Sequence, residues 1–265
     1  MLVHFSKYHG TGNDFIMIDG RSQQSLLFSS GIIKHICDRR FGVGGDGLIL
    51  LEESPGYDFT MRYYNADGKE GTMCGNGGRC ISAFARRLGL VSQEETEFEG
   101  IDGIHTASFF SQGEIRLKLA DVSGIRKLED GYLLDTGSPH FVKLSENLEG
   151  IDVEHLGAEI RKQERFGPGG VNVNFLEAED GRDKIAVRTF ERGVEGETWS
   201  CGTGVTAAAI LASFHFDTDI RSYEVKTRGG LLKVTFERKD KQNFRDIYLT
   251  GPASHVYDGT IEITV

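Results

Sequence analysis

Two stretches of this 265-residue chain are written on one plan, and that duplication limits what the chain can fold into. The first is Gly71-Thr-Met-Cys-Gly-Asn-Gly-Gly-Arg-Cys-Ile-Ser-Ala-Phe-Ala. The second is Thr198-Trp-Ser-Cys-Gly-Thr-Gly-Val-Thr-Ala-Ala-Ala-Ile-Leu-Ala. Each sets a cysteine, Cys74 or Cys201, in Cys-Gly-[Asn/Thr]-Gly ahead of a small and apolar run that reads as a helix. Glycines there let backbone N–H groups face outward, and the helix start adds its positive end. The turns at Gly75-Asn76 and Gly202-Thr203 are therefore ready anion sites. A cysteine at such a helix start has a lowered pKa and becomes a usable thiolate. Two copies, 201 − 74 = 127 residues apart, imply a duplicated fold that presents two thiols to one shared site.

A chain of this length can bury a substantial core, as one large domain or as two of similar size. With 38% hydrophobic and 26% charged residues it reads as soluble and globular. A formal charge of −10 argues against nucleic acid or an anionic membrane as partner, but leaves an anionic small substrate open. Residues 1–20 lack a charged segment leading into an apolar one, and nowhere do 18 apolar residues run together, so a cytoplasmic protein is expected. Four cysteines are too few for a disulfide scaffold. Cys37 and Cys80 fall inside helical patterns and read as core. The spacing of Cys74 and Cys80 fits no ordinary zinc site, and no metal is expected.

Along the chain, residues 2–9 and 15–18 read as strands around the loop Gly10-Thr-Gly-Asn-Asp, and Ser30 to about Cys37 as a helix. Gly42-Val-Gly-Gly-Asp-Gly47 spells G-x-G-x-x-G, but it follows a helix and precedes a strand, the reverse of a dinucleotide site. Phe59–Tyr64 reads as a strand delivering Asn65, followed by a helix from about Gly78 to Leu88. Strands near 95–99, 105–110 and 114–119 complete the first half. The second half rhymes: Tyr132–Asp135, Phe141–Leu144, a helix from Val153 to about Phe166, Val171–Leu176, and Lys184–Phe190 delivering Glu191-Arg192. The second cysteine helix follows, then a hairpin turning at Gly229-Gly230, and strands at 245–250 and 260–265. In this second half Val171-Asn-Val-Asn-Phe-Leu resembles Asn13-Asp-Phe-Ile in placing Asn just before an aromatic. The expected class is α+β: two pseudo-symmetric lobes, each a mostly antiparallel sheet around a central helix. The limits are placed at 1–122, completed by 256–265, and 123–255.

His9-Gly-Thr-Gly-Asn-Asp-Phe, Tyr64-Asn-Ala-Asp-Gly, Met73-Cys-Gly-Asn-Gly-Gly-Arg-Cys, Gly170-Val-Asn-Val-Asn-Phe, Arg188-Thr-Phe-Glu-Arg-Gly-Val and Ser200-Cys-Gly-Thr-Gly occur in this order. Together they resemble the diaminopimelate epimerases, over residue 3 to at least residue 210. The resemblance implies two similar lobes, an active site in the cleft between them, and a cofactor-independent conversion of LL- to meso-diaminopimelate. A homodimer is expected.

Inverting an amino-acid α-carbon without a cofactor needs a base on one face and an acid on the other, which a thiolate and a thiol supply. The resemblance implies that Cys74 and Cys201 fill these roles, with backbone N–H groups at Gly75, Asn76, Gly202 and Thr203 stabilising the developing carbanion at its carboxylate. It further implies that Asn13, Asn65, Asn172, Glu191 and Arg192 hold the distal groups, and that His140 assists near the centre. Arg192 suits a carboxylate through its planar fork, and Glu191 suits an ammonium. Two positions depart from the family pattern. Ser138 stands where many members have Asn, which weakens one distal contact, and Gly47 stands where some have Gln, which leaves a gap for water. Rival readings are a racemase of another amino acid, a non-catalytic amino-acid-binding protein, and a thiol–disulfide oxidoreductase, the last disfavoured by the absence of Cys-x-x-Cys.

Overall fold

In the computed structural model of the chain, residues 2–23, 29–71, 74–110, 113–179 and 181–263 are described. Met73 of the first cysteine motif and residues 264–265 of the expected last strand lie outside them. The chain divides into two compact units, Met1–Leu117 with Gly251–Val265, and Lys118–Thr250. The first division comes earlier than the 122/123 read from sequence, for a hydrogen-bonding reason. Leu119 N–H donates to Ile247 O (2.9 Å), and Val122–Ser123 pairs with Asn243–Pro252, so the chain past Leu117 already belongs to the second unit. The returning segment likewise begins at Gly251 rather than at residue 256.

In the first unit, β1 (Leu2–Gly10) and β2 (Asn13–Asp19) form an antiparallel pair. Helix α1 (Ser30–Cys37) carries the chain over so that β3 (Gly47–Glu52) lies parallel to β2, and β4 (Phe59–Asn65) returns antiparallel. Helix α2 (Gly75–Arg87) is a second crossover, to β5 (Glu95–Gly100), parallel to β4. β6 (Gly103–Phe109) and β7 (Glu114–Lys118) continue antiparallel. The C-terminal strand Ser254–Glu262 closes on β1.

The second unit enters through β8 (Val122–Ser123) and β9 (Arg126–Lys127). β10 (Tyr132–Asp135) and β11 (Pro139–Leu144) are antiparallel, and after α3 (Val153–Arg161) β12 (Asn172–Ala178) lies parallel to β11. β13 (Lys184–Glu191) is antiparallel to β12, with the short β14 (Gly196–Thr198) folded onto its end. Helix α4 (Gly202–His215) leads to β15 (Ser222–Thr227), parallel to β13, and β16 (Gly230–Arg238) and β17 (Asn243–Pro252) finish the unit antiparallel.

Both units thus run antiparallel, parallel, antiparallel, parallel, antiparallel through five successive pairings, and the duplicated plan read from the cysteine turns extends over whole sheets. One equivalence differs from the sequence reading. β12 is the second strand of its parallel pair, as β3 is, so its counterpart is β3 and not β2. Register makes this concrete: Phe15 faces Gly47 across the first pair and His140 faces Asn172 across the second. Helix α3 also ends sooner than periodicity suggests. The chain breaks at Gln163 into a separate 3-10 turn, Glu164–Phe166, which sets Phe166 against the ring of Phe141 at 5.3 Å.

Helix α4 is buried at Gly202 and from Gly204 to Ser213, and it touches β10, β11, β12, β13, β15 and β16. Alanines at 207, 208, 209 and 212 keep it thin enough for strands to close around it. Helix α2 sits likewise against β1 to β4, β6 and the C-terminal strand. Both sheets therefore fix the position of a helix N-terminus.

The glycine-rich stretch Gly42–Gly47 ends α1. Amides of Gly42, Val43, Gly44 and Gly45 donate to carbonyls of Asp38, Ile36, Ile36 and Cys37. A Cβ at Gly42 would run into the His35 carbonyl, and Gly44 has φ +83°. Gly42→Ala should therefore lower the stability of the protein by at least about 2 kcal/mol. Urea unfolding checks this, and an unchanged midpoint would mean that the loop does not close on α1.

Candidate active site

Cys74 and Cys201 are the N-cap residues of α2 and α4, both extended, at φ −103° and −110°. Neither makes a side-chain capping bond, unlike Ser29 on α1 and Asp152 on α3. The first helical bonds are Gly78 N–H to Cys74 O (2.7 Å) and Val205 N–H to Cys201 O (2.9 Å). The amides before them, on the residues after each cysteine, point out of the helix end beside the sulfur. The other two cysteines are core residues: burial pushes the thiols of Cys37 and Cys80 up to about 12.

In the first unit a chain of amides surrounds Cys74. Arg79, fully buried on α2, gives its guanidinium to Gly75 O (3.2 Å), Asn76 Oδ1 (2.9 Å) and Pro252 O (3.5 Å). Asn76 Nδ2 donates to Asn13 Oδ1 (3.2 Å), the oxygen that also lies 3.6 Å from Cys74 Sγ. Asn13 in turn donates to Asp46 Oδ2 (2.7 Å). Asp46 is held by Arg39, which also pairs with Asp14. Hydrogen bonds from Arg39 and Lys7 outweigh burial at Asp14 and bring its carboxyl down to about 2. Asn65, at the exposed end of β4, accepts from Tyr63 Oη at 2.9 Å.

The second unit surrounds Cys201 differently. Thr203 Oγ1 lies 3.6 Å from Cys201 Sγ and 3.0 Å from His140 Nε2. Behind the ring, Asn174 Nδ2 reaches His140 Nδ1 (3.1 Å) and Phe141 O (3.2 Å), while Asn174 Oδ1 accepts from Thr189 Oγ1 (2.9 Å). Thr136 Oγ1 donates to Thr203 O (2.9 Å). Complete burial, reinforced by the charge of Arg192, pushes the His140 imidazole down to about 3 and keeps it neutral. At the ends of β12 and β13, Asn172 Oδ1 accepts from Arg192 N–H (2.9 Å), and Asn172 Nδ2 donates to Ser138 Oγ (2.9 Å). The Arg192 guanidinium reaches the same Ser138 oxygen at 3.5 Å, and Glu191 accepts from Thr198 Oγ1 at 2.6 Å.

Each unit therefore gathers its own sequence-predicted residues at one helix N-terminus: Asn13, Gly75 and Asn76 with Cys74, and His140, Gly202 and Thr203 with Cys201. Asn172, Glu191 and Arg192 meet at neighbouring strand ends. Sequence reasoning missed Asp46, Tyr63, Arg79, Asn174 and Thr189, which orient the predicted residues. Asn174 was within reach, because in Asn172-Val-Asn174 a two-residue strand period puts both amides on one side of β12. The others gave no local signal. Among the described residues no three His, Cys, Asp or Glu side chains cluster as a metal site would require.

A family model described as diaminopimelate epimerase matches residues 5–123 and 132–256, nearly the whole of both units. The chain belongs to the diaminopimelate epimerase family. The Flavobacterium psychrophilum diaminopimelate epimerase is 44% identical over 255 residues, spanning 96% of this chain and 98% of that protein. The Chlorobaculum tepidum diaminopimelate epimerase is 43% identical over 262 residues, spanning 96% and 99%. Among solved structures, a phenazine biosynthesis protein of the PhzF family from Bacillus anthracis superposes with a TM-score of 0.77 at 15% identity, covering 99% of this chain and 100% of that one. At that identity the likeness concerns the fold.

Both departures from the family pattern have structural answers. The space at Gly47 is not a gap for water: a Cβ there would come within 2.6 Å of the Tyr63 ring and of Tyr64 O. A Cβ at Gly71 would likewise come within 2.9 Å of the same ring. The Tyr63 ring thus takes the space, and its hydroxyl engages Asn65. Ser138 does not simply weaken a contact either, since its oxygen ties Asn172 to Arg192.

The buried neutral imidazole of this epimerase-family chain makes stability depend on pH. The unfolded chain takes a proton at His140 below the ordinary value of 6.5, and the folded chain only near 3. The contribution of His140 is complete above about pH 6.5 and is lost as pH falls toward 3. From about pH 7 to about pH 5 it should remove about 2 kcal/mol. Urea unfolding at both pH values should show a smaller loss for His140→Gln than for wild type. Equal losses would assign the effect elsewhere.

Proposed function

We propose that the chain interconverts LL- and meso-2,6-diaminopimelate without a cofactor, in the biosynthesis of lysine. One cysteine, as thiolate, removes the α-proton, and the other, as thiol, returns one to the opposite face of the carbon. What carries the reading is the paired arrangement within the family: each unit ends an enclosed helix in an N-cap cysteine that does not spend its sulfur on capping. The amides of Gly75, Asn76, Gly202 and Thr203 supply donors for the substrate carboxylate, where charge accumulates as the proton leaves. His140 is not a proton carrier in this scheme, because burial keeps its ring neutral through the working range.

The distal carboxylate is the task of Asn65, Asn172 and Arg192. Arg192 suits it through a fork whose backbone is pinned by Asn172 and whose tip touches Ser138. Glu191, steadied by Thr198, suits the distal ammonium. The same reading makes the protein a cytoplasmic enzyme, in keeping with the absence of any described helix long and apolar enough to cross a membrane. We also infer a homodimer. Val256 and Tyr257 are exposed on the C-terminal strand, which among the described residues pairs with β1 alone.

Incubation with LL-diaminopimelate in deuterated water, followed by NMR, should show α-deuterium entering together with the meso form. Cys74→Ser and Cys201→Ser should each lose most turnover with normal circular dichroism, since a hydroxyl is a far weaker acid than a thiol. Lysine lacks the distal carboxylate and would leave the guanidinium unpaired, so it should turn over at least about a thousandfold less well. Full activity in either serine variant would end the two-thiol mechanism, and comparable lysine turnover would end the distal assignment. Light scattering on the purified protein should give twice the chain mass of 29.3 kDa, and a monomer at assay concentration would remove the dimer.

A further inference from the structure

Thr203 is the second residue of α4, and its hydroxyl sits between His140 Nε2 and Cys201 Sγ. The direction of its hydrogen follows from the groups behind the ring. Phe141 O only accepts, so Asn174 must turn its Nδ2 toward that carbonyl. Reversing the amide would press Asn174 Oδ1 against the Phe141 oxygen and leave two acceptors in contact. The same Nδ2 therefore donates to His140 Nδ1, and the single proton of the neutral ring sits on Nε2. That Nε2–H donates to the Thr203 oxygen. The hydroxyl hydrogen is left directed at sulfur.

We propose that Thr203 is a positioning residue for Cys201: its hydroxyl, held at the oxygen by His140, donates a hydrogen bond to the Cys201 thiolate. His140 then serves as a fixed donor that aims the hydroxyl. A hydrogen bond that forms to the charged state favours it, so the thiolate of Cys201 is more populated at neutral pH than it would be without Thr203. Other charged groups stand at this end of the unit, and each has partners of its own. Glu191 accepts from Thr198, Asp135 from Gly137 N–H, and Glu197 is held by Arg188 and Arg228. Arg192 is placed through Asn172 and Ser138. None of these bonds passes through the Thr203 side chain.

The first unit is polarised in the opposite sense. Asp46 fixes Asn13 with its nitrogen outward, so an amide oxygen, not a hydrogen, faces Cys74 at 3.6 Å. Asn76, which takes the place of Thr203 in the first turn, engages that same oxygen. Changing Thr203 should leave Cys74 untouched, and Cys74 becomes an internal control.

The catalytic consequence of this proposal rests on the epimerase reading, whereas the state of the sulfur can be read without substrate. The full-length protein is alkylated with iodoacetamide over the pH range of thiol ionisation, and modification at each cysteine is followed by peptide mass mapping. Thr203→Val, nearly isosteric, should move the Cys201 profile to higher pH and slow its alkylation at neutral pH by about tenfold. Thr203→Ala should do the same, Thr203→Ser should restore the wild-type profile, and Cys74 should keep its own in all three. The pH profile of kcat/KM for diaminopimelate should shift with Cys201. An unmoved Cys201 profile in the Val and Ala variants, or a Ser variant as slow as Val, overturns the proposal. A protein that shows the alkylation shift but does not epimerise diaminopimelate would instead sink the epimerase reading alone.

Discussion

A helix enclosed by a sheet has its unspent backbone polarity only at its ends, and this constraint organises each unit. Along α4 the buried amides from Val205 onward have carbonyls within the helix, and the backbone polarity answered from outside lies near its two ends, at Thr203 O by Thr136 and at Ser213 O by Arg238. At the N-terminus the amides need an acceptor, and the chain gives them none from the capping residue, which is a cysteine in both units. In the proposed reaction a substrate carboxylate would meet that need, with the sulfur beside it. Enclosure also fixes where this happens, because a helix touched by strands on all sides cannot slide.

Much of this was legible in the sequence, and what was legible had a local physical cause. The cysteine turns announce themselves because glycine, a helix start and a following apolar run must be adjacent to work. The small and apolar run after Cys201 read as a helix, and it is the one the second sheet encloses. Strand existence followed from alternation, and the end of β13 delivering Glu191-Arg192 followed from its length. What was not legible depended on pairing. The equivalence of β12 with β3 appears only when the parallel partners are known, since β12 shares an asparagine near an aromatic with β2 and not with β3. The ring of Tyr63 lies over Gly47 through the register of β3 with β4, which brings Gly47 opposite Asn65. The roles of Asp46 and Arg79 depend on long-range hydrogen bonds that leave no spacing rule behind.

The duplicated scaffold nevertheless treats its two sulfurs unequally. The first turn carries a buried Arg79 where the second carries Thr206, yet both side chains reach back to the carbonyl four residues earlier, Gly75 O and Gly202 O. A positively charged and a neutral residue thus solve one backbone problem. Around them the amide chain of the first unit and the imidazole–hydroxyl pair of the second are different chemistry on one frame. Duplication followed by divergence of the residues around each sulfur has thus placed one kind of helix start in two different chemical settings.

The first unit is sewn shut by the end of the chain. β1 has β2 on one side and Ser254–Glu262 on the other, whereas residues 118–250 form the second unit without interruption. During synthesis β1 therefore emerges well before Ser254–Glu262, holding Val3 and Phe5 ready for a partner not yet made. The carboxy-terminal half can complete its sheet while the amino-terminal half still has an open edge. The second unit can be completed before the first although it is translated later, and removing Ser254–Glu262 would leave β1 without one of its two neighbours.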